Sequence, residues 1–276
     1  MRPGLNPRVN ATGQTVTSPR ADKRKKESHE KKWLTPEGEY YEHIKHMTQQ
    51  HHLLIAGCSG SGKSVLINTL IHHLLLDSPA TVKLMLIDPK RVELSGYKKL
   101  PHCIGYASEH SDIIKLLEAA INTMESRYKS MQRKSQRESD EAHIYIIFDE
   151  FGDLMTTSKK QVEPLIIRLA QLGRAARIHL ILATQNPSRQ TITAGIKVNV
   201  VSAVALRCRE PIESRMIIGS KGAELLPKYG QGYYITPDHT TPQLIPIPLT
   251  TDEEINQRVQ WWTRQYKKLF PILSRL

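Results

Sequence analysis

The run Gly57-Cys-Ser-Gly-Ser-Gly-Lys63-Ser64 follows directly on the apolar stretch His52–Ala56 and leads into a helical pattern over Ser64–Leu76. It matches G-x-x-x-x-G-K-[S/T] in the strand, loop, helix context that gives the motif its meaning. Glycines allow backbone N–H groups to turn inward around phosphates, and the start of the following helix adds partial positive charge. A lysine in the position of Lys63 reaches the β- and γ-phosphate oxygens, and the Ser64 hydroxyl suits Mg²⁺. The candidate nucleotide-binding set is therefore Gly57, Cys58, Ser59, Gly60, Ser61, Gly62, Lys63, Ser64 and Val65, with ATP and Mg²⁺ as ligands. Such a loop demands a buried strand on one side and a helix on the other, so it points to an α/β fold.

The rest of the chain agrees with that demand. Short apolar runs recur at Leu53–Ala56, Val82–Ile87, Ile144–Phe148, Leu180–Ala183 and Val198–Leu206, separated by helical patterns over Ser111–Gln132 and Gln161–Ala176. Continuous apolar strands alternating with helices predict a mostly parallel sheet covered by helices on both faces. Gly232–Thr236 and Gln243–Leu249 are extended and Pro-punctuated, as edge strands are. Arg133–Ala142 is highly charged and reads as a surface loop or frayed helix end. Thr251 and Glu254 have capping-box spacing, and Ile255, Val259, Trp262, Tyr266 and Leu269 then recur at helical intervals. The expected division is a basic tail over 1–32, a linker over 33–51, an ATPase domain over 52–250, and an amphipathic helix over 251–276 packed on the core.

Charge needs care. The 276 residues carry a formal net charge of +12. Residues 1–32 hold nine basic against three acidic residues, a net of +6 and so half of the total. A disordered, solvated arm accounts for this; a salt-sensitive tether to a polyanion is the functional alternative. Hydrophobic residues at 39% and charged residues at 24% exclude a wholly disordered chain and a multispanning membrane protein. No window approaches the roughly 20 apolar residues of a membrane helix. Three cysteines without paired spacing make a disulfide framework or zinc ribbon a poor fit, and a cytoplasmic location is expected.

Two further strand ends carry chemistry. Ile144–Phe148 runs into Asp149 and Glu150. Asp149 is placed to hold magnesium, and Glu150 to orient and deprotonate an attacking water. Adjacent acids there also suit a helix cap, but pairing with the phosphate loop favours hydrolysis, and the second acid favours ATP over a GTP switch. Leu182-Ala-Thr-Gln-Asn-Pro187 ends another strand, where Gln185 can sense the γ-phosphate. Arginines at 174, 177, 207, 209 and 215 are candidates for positive charge against the transferring phosphate, and none follows the loop closely enough for assignment in cis. His51-His52 and His72-His73 are adjacent pairs that point to different faces and chelate poorly.

Taken together, HLLIAGCSGSGKSVLINTLI, LMLIDPKRVELSGYKKLPH, IYIIFDEFGDLM, RLAQLGRAARIHLILATQNPS and ESRMI resemble the motor domain of FtsK/SpoIIIE-type DNA translocases. The resemblance runs from about His52 to about Leu249, and Asp88–Leu94 and ATQNPS are its most family-specific parts. It implies a RecA-like P-loop ATPase fold assembled as a ring, usually a hexamer, with ATP between subunits and duplex DNA through the centre. Lys63, Ser64, Asp149, Glu150 and Gln185 match the family's phosphate, metal, base and sensor positions. Arg174 matches its trans-acting arginine, and Lys197 and Arg215 fall where it presents basic residues to DNA. Asn186, Arg177 and Pro211 depart from the pattern. Membrane helices and a winged-helix domain, which cell-division members carry, find no place here. By analogy this suggests a short motor of a plasmid, conjugative element or phage, working beside a relaxase, a replication protein or a membrane channel. Coupling of single-stranded DNA to a conjugation channel, and protein export, are the alternatives within the superfamily.

Overall fold

The computed structural model describes the backbone of residues 39–269 and the side chains of 42–265; the expected basic tail over 1–32 lies outside them. The first element is helix α1 (Glu39–Gln49), where a linker is expected from sequence. Its Ile44 and Met47 are buried in the core, so these residues form a layer of the fold instead of connecting to it. The chain continues through β1 (His52–Ala56), α2 (Lys63–Leu74), β2 (Val82–Ile87), β3 (Cys103–Ala107), α3 (His110–Lys134) and β4 (His143–Phe148). Then follow α4 (Phe151–Thr157), α5 (Lys159–Leu172), β5 (Ile178–Thr184), α6 (Ala194–Asn199), β6 (Ser202–Ala205) and α7 (Pro211–Ile218). Strands β7 (Gln231–Ile235) and β8 (Gln243–Pro246) and helix α8 (Asp252–Leu269) complete the described chain.

The eight strands form one sheet in the order β3-β2-β4-β5-β1-β6-β7-β8. All pairs from β3 to β6 are parallel, and only the β6–β7 and β7–β8 pairs are antiparallel. Burial explains the continuous apolar runs. Alternate residues of β1 serve opposite faces: Leu54 and Ala56 pack with α3 and α5, while Leu53 and Ile55 pack with α1 and α2. Every residue of β1 and β5 is buried, as a central parallel strand requires. The parallel strands therefore end together at one edge of the sheet, and that edge collects the loops that follow β1, β2, β4, β5 and β6.

Two further elements differ from expectation. The run Val198–Leu206 is split, because α6 takes residues up to Asn199 and the strand begins only at Ser202. Helix α5 stops at Leu172, not Ala176, so Arg174 lies in the loop behind it. Gly173 still bonds the Leu169 carbonyl through its N–H, and it must be glycine: a Cβ there would meet the carbonyl oxygens of Leu169 and Ile178 at 2.5 Å each. The C-terminal cap forms as its spacing requires. Glu254 N–H donates to Thr251 Oγ1 at 3.3 Å and Thr251 N–H to Glu254 Oε2 at 2.8 Å, and the Trp262 indole N–H then anchors α8 to the Leu75 carbonyl at 2.8 Å.

Candidate nucleotide site

Between β1 and α2 the chain turns through Gly60 at φ 72° and Gly62 at φ 92°, both in the left-handed region that favours glycine. Gly57 is required for a different reason, since a Cβ would sit 2.7 Å from Leu206 Cβ and 2.7 Å from Ser61 Oγ. The Cys58 N–H donates to the Arg207 carbonyl at 2.8 Å, which fastens the loop to the end of β6. Gly62 caps α2 without a side-chain hydrogen bond, so the first-turn N–H groups are left to an anion. The buried Ser61 hydroxyl has no hydrogen-bond partner among the described residues. An orphaned hydroxyl inside an uncapped, glycine-bent loop is the chemistry a polyphosphate satisfies. Ser64 stands half-buried on the first turn of α2, and the Val65 side chain is likewise half-buried beside it.

The β4 terminus meets this loop. Lys63, only 4% exposed, donates from Nζ to Asp149 Oδ1 at 2.8 Å and to the Asp149 carbonyl at 2.5 Å. A buried ammonium and a buried carboxylate are thus paired where phosphate and metal ligands are expected. Glu150 is the N-cap of α4, and its Oε1 accepts from Gly152 N–H at 3.2 Å. Capping is not its whole role, because Oε2 accepts from the Gln185 backbone N–H at 2.9 Å. The acid at the end of β4 and the polar pair at the end of β5 are therefore joined directly. Thr184 Oγ1 accepts from Asn186 N–H at 3.1 Å, which turns the chain away immediately after Gln185. One residue of this arrangement, Gly152, carries no motif. A Cβ on it would lie 2.7 Å from Thr184 Oγ1 and 2.8 Å from Glu150 Oε1. The signal in sequence is a glycine two residues after the second acid.

The remaining predicted residues lie elsewhere. Arg174 is exposed at the opposite edge of the sheet, before β5 begins. The seven residues of β5, at roughly 3.3 Å each, place its loop ~20 Å from Gln185, beyond the reach of its own phosphate loop. That loop is tightly held. Tyr128 hydroxyl donates to the Leu172 carbonyl at 2.8 Å, Ser139 N–H to Ala175 at 2.8 Å, and the buried Arg127 to Ala176 at 2.6 Å. Arg127 also donates to the Ala142 carbonyl at 2.8 Å, so one guanidinium ties together the approaches to β4 and β5. Arg177, one of the departures from the family pattern, adopts φ 54°, and its Nε donates to Glu138 Oε1 at 2.8 Å. Lys197 on α6 donates to the Met216 carbonyl of α7 at 2.9 Å, which ties it beside exposed Arg215.

A mostly parallel, helix-covered sheet with a glycine-bent phosphate loop, a paired Lys63–Asp149 and a second acid bonded to the next strand end defines the class: a P-loop ATPase fold. Comparison with known proteins goes one step further. Residues 20–146 and 133–189 match the model of the FtsK/SpoIIIE family. DNA translocase FtsK of Staphylococcus epidermidis is 39% identical over 242 residues, which covers 80% of this chain and 30% of that protein. The chain belongs to the FtsK/SpoIIIE family, and it spans about a third or less of the length of the curated relatives it matches. Among solved structures, the pCW3 conjugation coupling protein TcpA, in monomer form with ATPγS, has a TM-score of 0.68 at 22% identity, covering 78% of this chain and 66% of that one. The cytoplasmic domain of the type VII secretion ATPase EccC of Thermomonospora curvata has a TM-score of 0.65 at 23% identity, covering 77% and 28%. Those two likenesses show the fold.

Proposed function

We propose that the chain is an ATP-hydrolysing motor that binds DNA, duplex by preference, and moves it as a member of a ring of identical subunits. The observation that carries the hydrolytic half is the joining of three strand ends: Lys63 to Asp149, and Glu150 to Gln185. The DNA half is supported by 39% identity over most of the chain to proteins named as DNA translocases. In this reading the backbone of Gly57–Ser64 cradles the phosphates, and Lys63 leaves Asp149 to meet their oxygens. A magnesium ion would be held by Ser64 and Asp149, where it supplies charge neutralisation to the triphosphate. Glu150 accepts a proton from the attacking water, and its hydrogen bond to the Gln185 N–H gives the β5 terminus a direct report of what that carboxylate does. Arg174, held rigidly some 20 Å away by its loop's carbonyl clamps, offers its cation to a neighbouring copy. Lys197, bonded to the Met216 carbonyl of α7, and the adjacent exposed Arg215 are the proposed DNA contacts.

Two variants test the hydrolytic assignments. Lys63→Ala is expected to lose nucleotide binding, measured by titration with a fluorescent ATP analogue. Glu150→Gln is expected to keep that binding and lose turnover by roughly 10²–10⁴-fold, the usual worth of a general base. Full turnover in Glu150→Gln would remove Glu150 from the role of base.

A further inference from the structure

The segment Asp88-Pro-Lys-Arg-Val-Glu93, one of the most distinctive in the sequence, has no part in the site described so far. It leaves the end of β2, the strand paired in register with β4, and so runs beside Asp149 and Glu150. The Asp149 N–H itself donates to the Ile87 carbonyl at 3.1 Å. The loop is closed from within: fully buried Asp88 accepts from Leu94 N–H at 3.0 Å, and Arg91 N–H donates to the Asp88 carbonyl at 3.1 Å. Arg91 takes the left-handed conformation at φ 60° and is ion-paired with Glu109. Tyr97, buried below, donates its hydroxyl to Asn68 Oδ1 at 2.9 Å, which fastens the segment to α2, the helix that Lys63 opens.

What this fastened loop presents is Lys90. Its Nζ lies 3.9 Å from Glu150 Oε2, and among the described residues it is the cation paired with that carboxylate. Glu150 is 4% exposed while Lys90 is 43% exposed, so the pair joins a buried base to a side chain that reaches in from solvent. An ionised carboxylate has about four acceptor directions. The N–H groups of Gly152 and Gln185 take one each, the ammonium faces a third, and about one is left for a single water proton. We infer that Lys90 is a positioning residue of the hydrolytic site, acting through Glu150 to hold its carboxylate in the orientation that proton transfer requires. The inference rests on the reading of Glu150 as the base.

The test is a double-mutant cycle read by steady-state turnover and by titration with a fluorescent ATP analogue. Lys90→Ala is expected to lower kcat about tenfold, less than loss of the base itself, with KM and nucleotide affinity within about twofold of the parent. Lys90→Arg, which keeps a cation, is expected to recover most of the loss. In single-turnover assays on Glu150→Gln protein, adding Lys90→Ala is expected to cause no further decrease, because the group it acts through has gone. Parental kcat in Lys90→Ala, weakened nucleotide binding without a kcat effect, or a further tenfold loss on Glu150→Gln would each overturn the inference while leaving Glu150 as base. Unchanged turnover in Glu150→Gln alone would overturn both.

Discussion

At the scale of single residues, the candidate site is built from side chains whose motifs are legible and from neighbours whose roles come only with the fold. Lys63, Asp149 and Glu150 are legible because their residue types follow directly from phosphate and water chemistry at strand ends. Gly152 and Lys90 are not, since each matters through atoms distant in sequence: Gly152 through Thr184 Oγ1, and Lys90 through a carboxylate just beyond the end of the neighbouring strand β4. The crowding at Gly152 gives a direct prediction. Gly152→Ala would force a methyl group within 3 Å of both Thr184 Oγ1 and Glu150 Oε1, so the carboxylate or the β5 terminus must move. The phosphate loop is untouched. The expected outcome is turnover reduced at least tenfold with nucleotide affinity retained, measured by ATPase assay beside nucleotide titration; reorientation of a base by about 1 Å is enough for such a loss.

Among the elements, the strands buried on both faces are legible as apolar runs and β7 and β8 as Pro-punctuated edge strands, but β3, at the other edge of the sheet, is not. β3, with Ile104 exposed and its other side chains half-buried except Ala107, has too little apolar continuity to announce itself. Helix α1 was hidden by its polar composition, although Ile44 and Met47 fill a place against α2. The loop bearing Arg174 reads in sequence as the end of a helix, because Ala175 and Ala176 continue a helix-favouring pattern past Leu172, where the helix ends. Arg127 determines how firmly that loop stands. Arg127→Met fills much of the same volume but leaves the carbonyls of Ala176 and Ala142 without their buried donor. Loss of charged hydrogen bonds of this kind costs about 3 kcal/mol. Chemical denaturation is expected to show that loss with an unchanged denaturant slope, and a variant as stable as the parent would contradict the assigned clamp.

Across the whole molecule, the sheet has two chemically different edges. At the carboxyl ends of the parallel strands lie the phosphate loop and the two acids; at the amino ends lie Arg174 and a set of buried histidines. His179 donates from Nδ1 to the Gln50 carbonyl at 3.3 Å and accepts at Nε2 from His143 Nδ1 at 2.8 Å, an arrangement that requires the His179 ring to be neutral. Burial, with His143 and His52 close by, pushes the His179 pKa down to about 3, and burial beside His51 takes that of His52 to about 4. Unfolded histidines bind protons below about pH 6.5 while these folded ones do not, so stability present at neutral pH is lost as pH falls from about 6.5 towards 4. At pH 5 each of these two groups costs about 2 kcal/mol. Calorimetry is expected to show a melting temperature several degrees lower at pH 5 than at pH 7.5; an unchanged value would contradict the neutral state of His179 and His52.

The proposed ring fits the separation of the two edges, for Arg174 lies ~20 Å from the phosphate loop of its own chain. Among the described residues no helix is long and apolar enough to cross a membrane. The central claim is that ATP hydrolysis at this site serves movement on DNA, and one measurement tests it most directly: ATPase rate with duplex DNA, with single-stranded DNA and with none, over a range of salt. Strong stimulation by duplex DNA, abolished in Glu150→Gln and weakened as salt rises, is the result expected. Stimulation by single strands alone would move the assignment to a coupling ATPase, and a rate indifferent to DNA at every salt concentration would contradict the translocase account.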